Sequence, residues 1–517
     1  MRFKSYFATI LLGISVFSCT DLDEQLNSDL EETSTGNITP AGLLTSAYSS
    51  LNNPYQQDNR WCLQQLSSDE AVAPTRGGDW DDNGTHRAIH LHTWNADNSY
   101  MSNTFGGLLT AIFQASNVLR YSPSAQQAAE ARFIRALAMF DVLDLWGVVP
   151  YRENLDDFRE LPKTLSSQEA IDFIISEVNA IMKDLPLAAS GKAFVANKDA
   201  ARVLLMKVYL NKGTFLDRQA PKFDAADMSK VVSLANEITG YTISPKGKYF
   251  DNFAPDNHLK STENIFTLYN EEGVRGGGVD RAYWTVSHYN MTPGGWNGWA
   301  ALSNLYDKFG ATDERRGGYY DYPADTTSNR SKGYKIQNAG FLQGQQMSWV
   351  TNKPLMAKNP GTQPLIFTKE VTIRTSGATL ETAGIRVIKY PFDFASKGQK
   401  NNDWVVYRYS DVLLMKAEAI LRGGTPGAAA DALTIVNSIR TNRGAANLTA
   451  LTLDGLLDER SRELYWEGWR RQDLIRFGKF MAAGQIRAAD TDPKILVYAI
   501  PSQQIAVNTN LKQNPGY

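Results

Sequence analysis

Cysteine is nearly absent from this chain, whose 517 residues include only Cys19 and Cys62. A framework of disulfide bonds, of the kind that holds small secreted domains together, is therefore excluded. Cys62 follows Trp61 and is expected to be a small buried hydrophobic residue. The fold must accordingly be held by a core, for which the 43% hydrophobic content is ample.

A large excess of charge is also lacking. Lys and Arg total 53 against 55 Asp and Glu, so the formal net charge is −2. Nothing in this balance favours binding to nucleic acid or to an anionic surface.

Sequence motifs for catalysis and for cofactor binding are missing as well. The chain has no Walker loop, GxSxG elbow, HExxH pair or dinucleotide fingerprint, so we predict no cofactor and no enzymatic activity. An enzyme would have to use scattered Asp and Glu residues. A glycoside hydrolase with two carboxylates is the enzymatic alternative.

Long hydrophobic runs are confined to the N-terminus. Arg2 and Lys4 precede an apolar run at 6–17, which is too short for a bilayer span of ~20 residues and is typical of a signal peptide, predicted over 1–18. The following Val16-Phe17-Ser18-Cys19 resembles a bacterial lipobox, which would make Cys19 the lipid attachment point and the first residue of the mature chain. An ordinary secretory signal cleaved nearby is the alternative.

The rest of the chain divides by composition. Residues 19–40 are rich in Asp, Glu, Ser, Thr and Asn and are predicted to be a flexible lipidated spacer. Residues 41–517 are predicted to form a single body, with a helical scaffold at about 41–240 and 405–517. The segment at about 241–404 is rich in Gly, Asn, Thr and aromatic residues and is predicted to be a loop-rich, ligand-binding insert with short β-strands.

Helix signals recur along the scaffold. Ser124-x-x-Gln127 and Ser166-x-x-Glu169 are capping boxes, and helices are predicted to begin near 125, 167, 198 and 225. Two of these spacings are near 30 residues, which is typical of stacked helical hairpins of the tetratricopeptide kind. The predicted fold class is therefore mostly α. Helix ends are predicted at Gly147, Gly213 and Gly240. A later helix is predicted to start at Ser410.

A long charged helix is predicted over roughly 454–480. Within it Glu459, Glu463 and Glu467 are spaced four apart, with four arginines nearby: Arg460, Arg462, Arg470 and Arg471. Carboxylates neutralised by such neighbours are poor general acids, so their predicted role is structural.

Four segments together resemble the SusD/RagB family of outer-membrane lipoproteins. The most specific is 459–478, ERSRELYWEGWRRQDLIRFG, and it is preceded by 407–419, YRYSDVLLMKAEA. The other two are 132–151, RFIRALAMFDVLDLWGVVPY, and the end of the chain at 500–517. The resemblance spans the chain from Cys19 to Tyr517.

The resemblance implies a function. Proteins of this family bind glycans at the cell surface, are anchored in the outer membrane by lipid and cap a SusC-like TonB-dependent porin, without enzymatic activity. We therefore expect an oligo- or polysaccharide ligand and a SusC-like porin partner. The RagB branch keeps a peptide ligand open as the alternative.

Two segments have the composition of a glycan site, because aromatic rings cover the C–H face of a sugar while polar side chains bond its hydroxyls. One is the glycine-rich loop at 76–84, and the other is an aromatic cluster at 283–299 interrupted by Gly and Asn. The predicted ligand-binding residues are Arg76, Asp79, Trp80, Tyr283, Trp284, Trp296 and Trp299.

The loop at 76–84 has a second interpretation. Asp79-x-Asp81-x-Asn83-Gly84 matches the first half of an EF-hand calcium loop, although position twelve is His90 rather than Glu. Calcium at Asp79, Asp81 and Asn83 is thus the alternative to a site without metal. The nearby histidines His86, His90 and His92 are expected on an extended segment as ordinary hydrogen-bonding residues, with a transition-metal site as the alternative.

Overall fold

Helices form most of the regular structure in the computed structural model. It describes residues 38–76, 80–153, 155–157, 159–276, 278–320, 338–358, 362–374, 380–396 and 400–517. The predicted signal peptide, Cys19 with most of the spacer, and Asp79 lie outside the described residues. Residues Pro40–Tyr517 form one compact unit.

The helices occur in two blocks separated by the loop-rich segment. The first block contains α1 Pro40–Ser50, α2 Asn52–Gln56, α3 Asn59–Trp61, α4 Thr85–His90, α5 Ser99–Val118, α6 Ala125–Trp146, α7 Ser167–Ile181, α8 Lys198–Leu216 and α9 Ala225–Glu237. Short helices follow as α10 Asn257–Lys260, α11 Arg281–Trp284 and α12 Ser303–Tyr306. The second block contains α13 Tyr409–Leu421, α14 Ala429–Asn442, α15 Leu453–Leu464, α16 Arg470–Arg476 and α17 Ser502–Val507.

The strands are short and all their pairings are antiparallel. They are β1 Ala71–Val72, β2 Val149–Tyr151, β3 Lys163–Leu165, β4 Asn264–Leu268, β5 Ala300–Ala301, β6 Gly317–Tyr319, β7 Asn338–Leu342, β8 Gly344–Gln345, β9 Ile366–Phe367, β10 Arg386–Ile388 and β11 Trp404–Arg408. In the described residues the one three-stranded sheet has the order β10-β7-β6, and β11 pairs with β4. The pair β1 and β5 joins the first helical block to the loop-rich segment, with Ala71 opposite Ala301.

The scaffold is a row of packed helices, in which α1 packs on α5, α5 on α6, α6 on α7, α7 on α8, α8 on α9, α9 on α13 and α13 on α14. Successive helices pack on each other because each buries an apolar face that it cannot cover alone. The predicted mostly α, hairpin-based fold is confirmed.

Both predicted capping boxes are present. The Ser124 hydroxyl accepts from the Gln127 N–H at 3.3 Å, and the Ser166 hydroxyl accepts from the Glu169 N–H at 3.4 Å. Gly147 ends α6 with a φ of 76°, a left-handed conformation that glycine adopts without strain.

Two of the predicted helix boundaries are wrong. Gly213 lies inside α8 rather than after it, because the Lys222 carbonyl packs so closely that a Cβ at 213 would lie 1.8 Å from its oxygen. Ser410 does not cap α13, which begins one residue earlier; its hydroxyl instead accepts a hydrogen bond from Arg408. In both cases a contact that the helix pattern does not include explains the residue.

The predicted long helix over 454–480 is also wrong, since the chain breaks between α15 and α16. Trp466 and Gly468 have φ values of 65° and 74°, outside the helical region. The break lets the Trp466 carbonyl accept from the Trp61 indole at 2.9 Å and the Gly468 carbonyl accept from Arg60 at 3.1 Å. Glu467 therefore lies outside the helix that carries Glu459 and Glu463.

The signature carboxylates are paired, as predicted, but mostly with distant cations. Glu463 accepts from Arg315 at 3.0 Å, from Arg408 at 2.6 Å and from Arg443 at 2.9 Å. We call this buried group the arginine–glutamate cluster, and its members are Arg315, Arg408, Arg443, Glu263, Glu459, Glu463 and Glu467.

The arginines within the signature itself have other partners. Only Arg462 pairs with one of the three glutamates, Glu459, at 2.8 Å. Arg460 binds Asp411 and Asp473, Arg470 binds Asp69, and Arg471 donates to the carbonyls of Ile495 and Leu496. The pairing predicted from sequence proximity is thus wrong for those three arginines.

No helix in the described part of the chain combines the length and the apolar character needed to cross a bilayer.

Candidate functional site: an aromatic cleft

The two segments predicted to bind ligand meet in the structure. Trp80 and Trp296 are 216 residues apart in the chain, yet they line one cavity of about 520 Å³. We call it the aromatic cavity, and its other lining residues are Asp58, Asp82, His86, Tyr100, Arg281, Tyr289 and Gly295. The site thus combines the first helical block with the loop-rich segment.

Trp80 is held in place by its neighbours from the second segment. Its indole N–H donates to the Trp296 carbonyl at 2.7 Å, and its ring packs directly over Gly298. A Cβ at position 298 would lie 2.2 Å from the Trp80 ring, so only glycine permits this approach. Trp80 itself has a φ of 62°, which is uncommon for an aromatic residue and is stabilised by these contacts.

Trp296 is presented to solvent by a rigid turn. Its N–H donates to the Trp284 carbonyl at 2.6 Å, and its side chain is 40% exposed. The next residue, Asn297, is buried with a φ of 54°, and its side chain donates to the Glu381 carbonyl and accepts from Arg386 at 2.8 Å. These bonds fix the backbone that points Trp296 outward.

The remaining predicted ligand contacts lie beneath this surface. Trp299 is 2% exposed and stacks on Trp61 with ring centres 4.2 Å apart. Tyr283 is equally buried, and its hydroxyl donates to the Pro293 carbonyl at 2.7 Å. Trp284 is half-buried, with its ring 5.5 Å from that of Trp296. In this structure Trp299 and Tyr283 support the cavity and do not line it.

Arg76 also has a supporting position. Its guanidinium donates to the Gly298 carbonyl at 2.9 Å and to the Ala383 carbonyl at 2.7 Å, so it joins the two loops behind the tryptophans. Burial lowers the pKa of Arg76 to about 9, which leaves it charged at neutral pH. With its donors taken by carbonyls, Arg76 positions the site without reaching the cavity.

One ion pair crosses the floor of the aromatic cavity. Arg281 Nε lies 2.6 Å from a carboxylate oxygen of Asp58, and its guanidinium carbon lies 5.2 Å from the centre of the Trp296 ring. Burial raises the pKa of Asp58 to about 6 despite the neighbouring Arg281, so the pair is ionised at neutral pH. Arg281 thereby offers donors to a ligand while touching the ring beside it.

A chain of hydrogen bonds forms another wall. The Asp82 carboxylate lies 3.1 Å from His86 Nδ1, and His86 Nε2 lies 2.8 Å from the Tyr100 hydroxyl. The hydrogen bond from His86 lowers the pKa of Asp82, which keeps this carboxylate ionised. Polar groups of fixed direction therefore face the two tryptophans.

Sequence reasoning missed Asp58, His86, Tyr100 and Arg281 as cavity residues. Arg281 lies two residues before the aromatic cluster and could have been included on proximity. Asp58 and Tyr100 carry no local signal, because helix packing alone brings α3 and α5 to the cavity.

Of the three residues proposed as calcium ligands, Asp81 and Asn83 are described and Asp79 lies outside the described residues. Asp81 Oδ1 accepts from Arg87 at 3.0 Å, so one predicted ligand is paired with a cation, and Asn83 lies on a separate turn at Asp82–Gly84. In the described ranges no three His, Cys, Asp or Glu side chains are grouped to hold a metal ion.

The histidine segment is helical, not extended as expected. His86 and His90 lie in α4, and His92 follows it with a φ of 59°. His90 Nδ1 lies 3.0 Å from the Leu66 carbonyl, and His92 Nε2 lies 2.7 Å from the Ser67 carbonyl. These two rings are buried in hydrogen bonds to the backbone.

The fold and the aromatic cavity define a class of protein: a helical-hairpin scaffold whose loop-rich segment completes a surface site with two tryptophans. The family comparison agrees with this class. The model of the SusD family matches residues 256–517, which is half of the chain. The protein belongs to the SusD family.

Similar proteins are found by sequence and by structure. The chain is 25% identical to the "Starch-binding protein SusD" of Bacteroides thetaiotaomicron, over 76% of this chain and 73% of that protein. It is 23% identical to the "SusD-like protein P38" of Formosa agariphila, over 78% of each chain.

Solved structures share the fold at lower identity. A SusD superfamily protein from Parabacteroides distasonis superposes with a TM-score of 0.68 at 18% identity, covering 92% of this chain and 98% of the other. The "Surface glycan-binding protein A" from Bacteroides thetaiotaomicron, solved with laminarihexaose, superposes with a TM-score of 0.64, also at 18% identity and with the same coverage.

Proposed function

We propose that this protein binds oligo- or polysaccharide at the aromatic cavity, without catalysing a reaction. The observation that carries the proposal is the pairing of Trp80 and Trp296 in one cavity, which Asp82 and Arg281 also line. Indole rings cover the apolar face of a sugar, and the charged groups bond hydroxyls at its edge.

The expected affinity follows from this chemistry. Each aromatic contact contributes ~0.5–1.5 kcal/mol, so two such contacts with a few hydrogen bonds give dissociation constants from about micromolar to millimolar. Such binding is weak enough to permit release, which suits a protein that captures a ligand and passes it on. The names of the starch-binding and laminarihexaose-bound relatives support a glycan as the ligand class.

We further propose that the chain is lipidated at Cys19, faces the exterior from the outer membrane, and delivers its ligand to a SusC-like TonB-dependent porin. The lipobox-like Val16-Phe17-Ser18-Cys19 and the family membership support this proposal. Cys19→Ser should release the protein from the membrane fraction, while Cys62→Ser, which alters a buried cysteine, should leave it there. The partner is tested by co-purification. A SusC-like porin should co-purify with the unaltered protein and equally with the control variant Cys62→Ser.

The ligand is tested with the soluble chain from about Thr20 on an array of polysaccharides and peptides, followed by isothermal titration. We expect saturable binding to one polysaccharide, with no product released, and about tenfold weaker binding by Trp80→Ala and Trp296→Ala. Phe113→Ala is the matched control, because Phe113 is also 40% exposed but lies on α5 away from the cavity. Binding to peptides alone would contradict the proposal.

A further inference from the structure

A second cavity continues from the aromatic cavity along the surface. It has a volume of about 730 Å³, and it shares three lining residues with the aromatic cavity: Asp82, Tyr100 and Arg281. Because the two cavities meet at these side chains, a single ligand can occupy both. We call the second cavity the amide trough.

The lining of the amide trough differs from that of its neighbour. Neither tryptophan reaches it, and five side-chain amides line it: Asn53, Gln57, Asn59, Asn83 and Asn103. The hydroxyls of Thr85 and Ser99 complete the lining, and every side chain that faces the trough carries a polar group. These residues come from α2 and the residue that follows it, from α3, from the turn at Asp82–Gly84, and from the first residues of α4 and the first two turns of α5.

Part of this lining is fixed by internal bonds. The Asn59 amide donates to the Asn53 side chain at 2.7 Å and to the Asn53 carbonyl at 3.0 Å, so these two residues hold each other. By contrast Gln57, Asn83 and Asn103 are exposed and make no side-chain hydrogen bond to another described residue. Three amides are thus available to a ligand beside two that are held in place.

The available groups select a class of ligand. Each amide presents both donors and an acceptor, which matches the hydroxyl pairs of a sugar, each of which also donates and accepts. An apolar side chain of a peptide would make no hydrogen bond to these amides and would displace the water that bonds them, so its binding here is unfavourable. Both volumes fall in the range of about 300–1,000 Å³ for a small-molecule pocket, so together they exceed what one or two sugar units fill.

We infer that the amide trough binds the hydroxyl-bearing continuation of the glycan chain whose first units stack in the aromatic cavity. This inference rests on the proposed function and adds the length of the ligand to it. The protein thus binds a run of several sugar units. The tryptophans stack on the ring faces at one end of the run, and the amides bond the hydroxyls at the other end. A single terminal sugar fills only the aromatic cavity.

The test is a length series measured by isothermal titration, using malto-oligosaccharides and laminari-oligosaccharides of two to seven units. For the series that binds, we expect affinity to rise at least tenfold between the disaccharide and the hexasaccharide. The double variant Gln57→Ala/Asn103→Ala should bind the hexasaccharide about tenfold more weakly and the disaccharide unchanged. Trp296→Ala should weaken binding at every length.

The matched control is Gln219→Ala/Gln503→Ala, which removes two exposed amides outside both cavities and should change nothing. Asn103→Trp gives a second measurement: by filling the trough it should abolish the gain with length and spare the disaccharide. Equal affinity of the unaltered protein for all lengths, or normal hexasaccharide binding by the double variant, would overturn the inference and leave the proposed function intact. Absence of binding to any glycan, tested on the array, would instead defeat the proposed function and the inference with it.

Discussion

The two adjoining cavities, the aromatic cavity and the amide trough, and the arginine–glutamate cluster are all rich in polar side chains but use them in opposite ways. In the cluster Glu463 and Arg443 are fully buried, and each is bonded to several partners. By contrast Trp296 in the aromatic cavity and Asn103 in the amide trough are exposed, and the Asn103 amide has no partner among the described residues. Polar groups that are satisfied internally stabilise the fold, whereas those left open to solvent can bind a ligand.

The physical reason for the difference is desolvation. A buried charge is tolerated only when partners replace the water it loses, so the cluster must be saturated. Burial would raise the pKa of the Glu263 carboxyl, but Arg443 and Arg408 outweigh that effect and lower it to about 2. The cluster also joins the loop-rich segment, through Arg315, to the C-terminal helices.

The largest expected effect is acid denaturation through the buried carboxylates. The pKa values of Glu263 and of Glu418, which pairs with Arg476, are lowered from 4.5 to about 2 in the folded state. A lowered folded-state pKa stabilises the protein fully above about pH 4.5, and this stabilisation is lost as the pH falls towards 2. Denaturant titrations from pH 7 to pH 2.5 should show a free energy of unfolding that drops below pH 4.5. A flat profile over that range would contradict the assignment.

The next effect is expected from breaking the cluster at one residue. Glu463→Gln removes the charge shared by Arg315, Arg408 and Arg443 and should lower the free energy of unfolding by about 3–5 kcal/mol. Chemical denaturation measures this change.

The control is a carboxylate of the same charge on the surface. Asp454 lies 3.2 Å from Lys479 with 73% of its side chain exposed, so Asp454→Asn should cost at most about 1 kcal/mol. Equal losses for Asp454→Asn and Glu463→Gln would show that burial does not govern these pairs.

Two tryptophans three residues apart sharpen the comparison further. Trp299→Ala removes a buried ring stacked on Trp61 and should destabilise the fold by about 3 kcal/mol or more. Trp296→Ala should leave the free energy of unfolding within about 1 kcal/mol of the unaltered value and weaken glycan binding about tenfold. Parallel denaturation and titration experiments separate these effects. A large stability loss for Trp296→Ala would place that ring in the core instead.

The smallest effect is expected from a change of pH at Asp58, whose pKa of about 6 lies close to neutral pH. Its pKa of about 6 means that acidification from pH 7 to pH 5 neutralises it and frees Arg281, whose orientation it holds. Ligand affinity should change about two- to threefold over that range, and Asp58→Asn should remove the change. Of the other charged groups around Asp58, His86 and Asp280 also act on its carboxylate electrostatically. Persistence of the pH dependence in Asp58→Asn, with loss in His86→Gln, would assign it to the histidine.

Local sequence signals predicted the helical scaffold well. The capping boxes at Ser124 and Ser166 were found because the bonds they make span only three residues. The end of α15 and the start of α16 could not be found, because the break at Trp466 depends on hydrogen bonds with residues about 400 positions earlier. The hydrophobic pattern of neighbouring residues carries no information about such distant contacts.

The candidate site was predicted in part for the same reason. Trp80 and Trp296 were proposed from composition as two separate platforms, and only the structure brings them into one cavity. Trp299 and Tyr283 have equally suggestive neighbours in sequence but are buried. Composition identifies which residues can stack on a sugar, but exposure depends on how the turn at Asn297 directs each ring.

The sequence by itself determined the class of fold, the family and the residue types available for binding, because helix caps, motifs and aromatic clusters are local properties of the chain. Tertiary structure alone decided which charges are saturated in the arginine–glutamate cluster and which amides stay open in the trough. It did so because desolvation depends on the three-dimensional neighbours of each group, and those neighbours come from α3, α5 and the loop-rich segment, far apart in the chain.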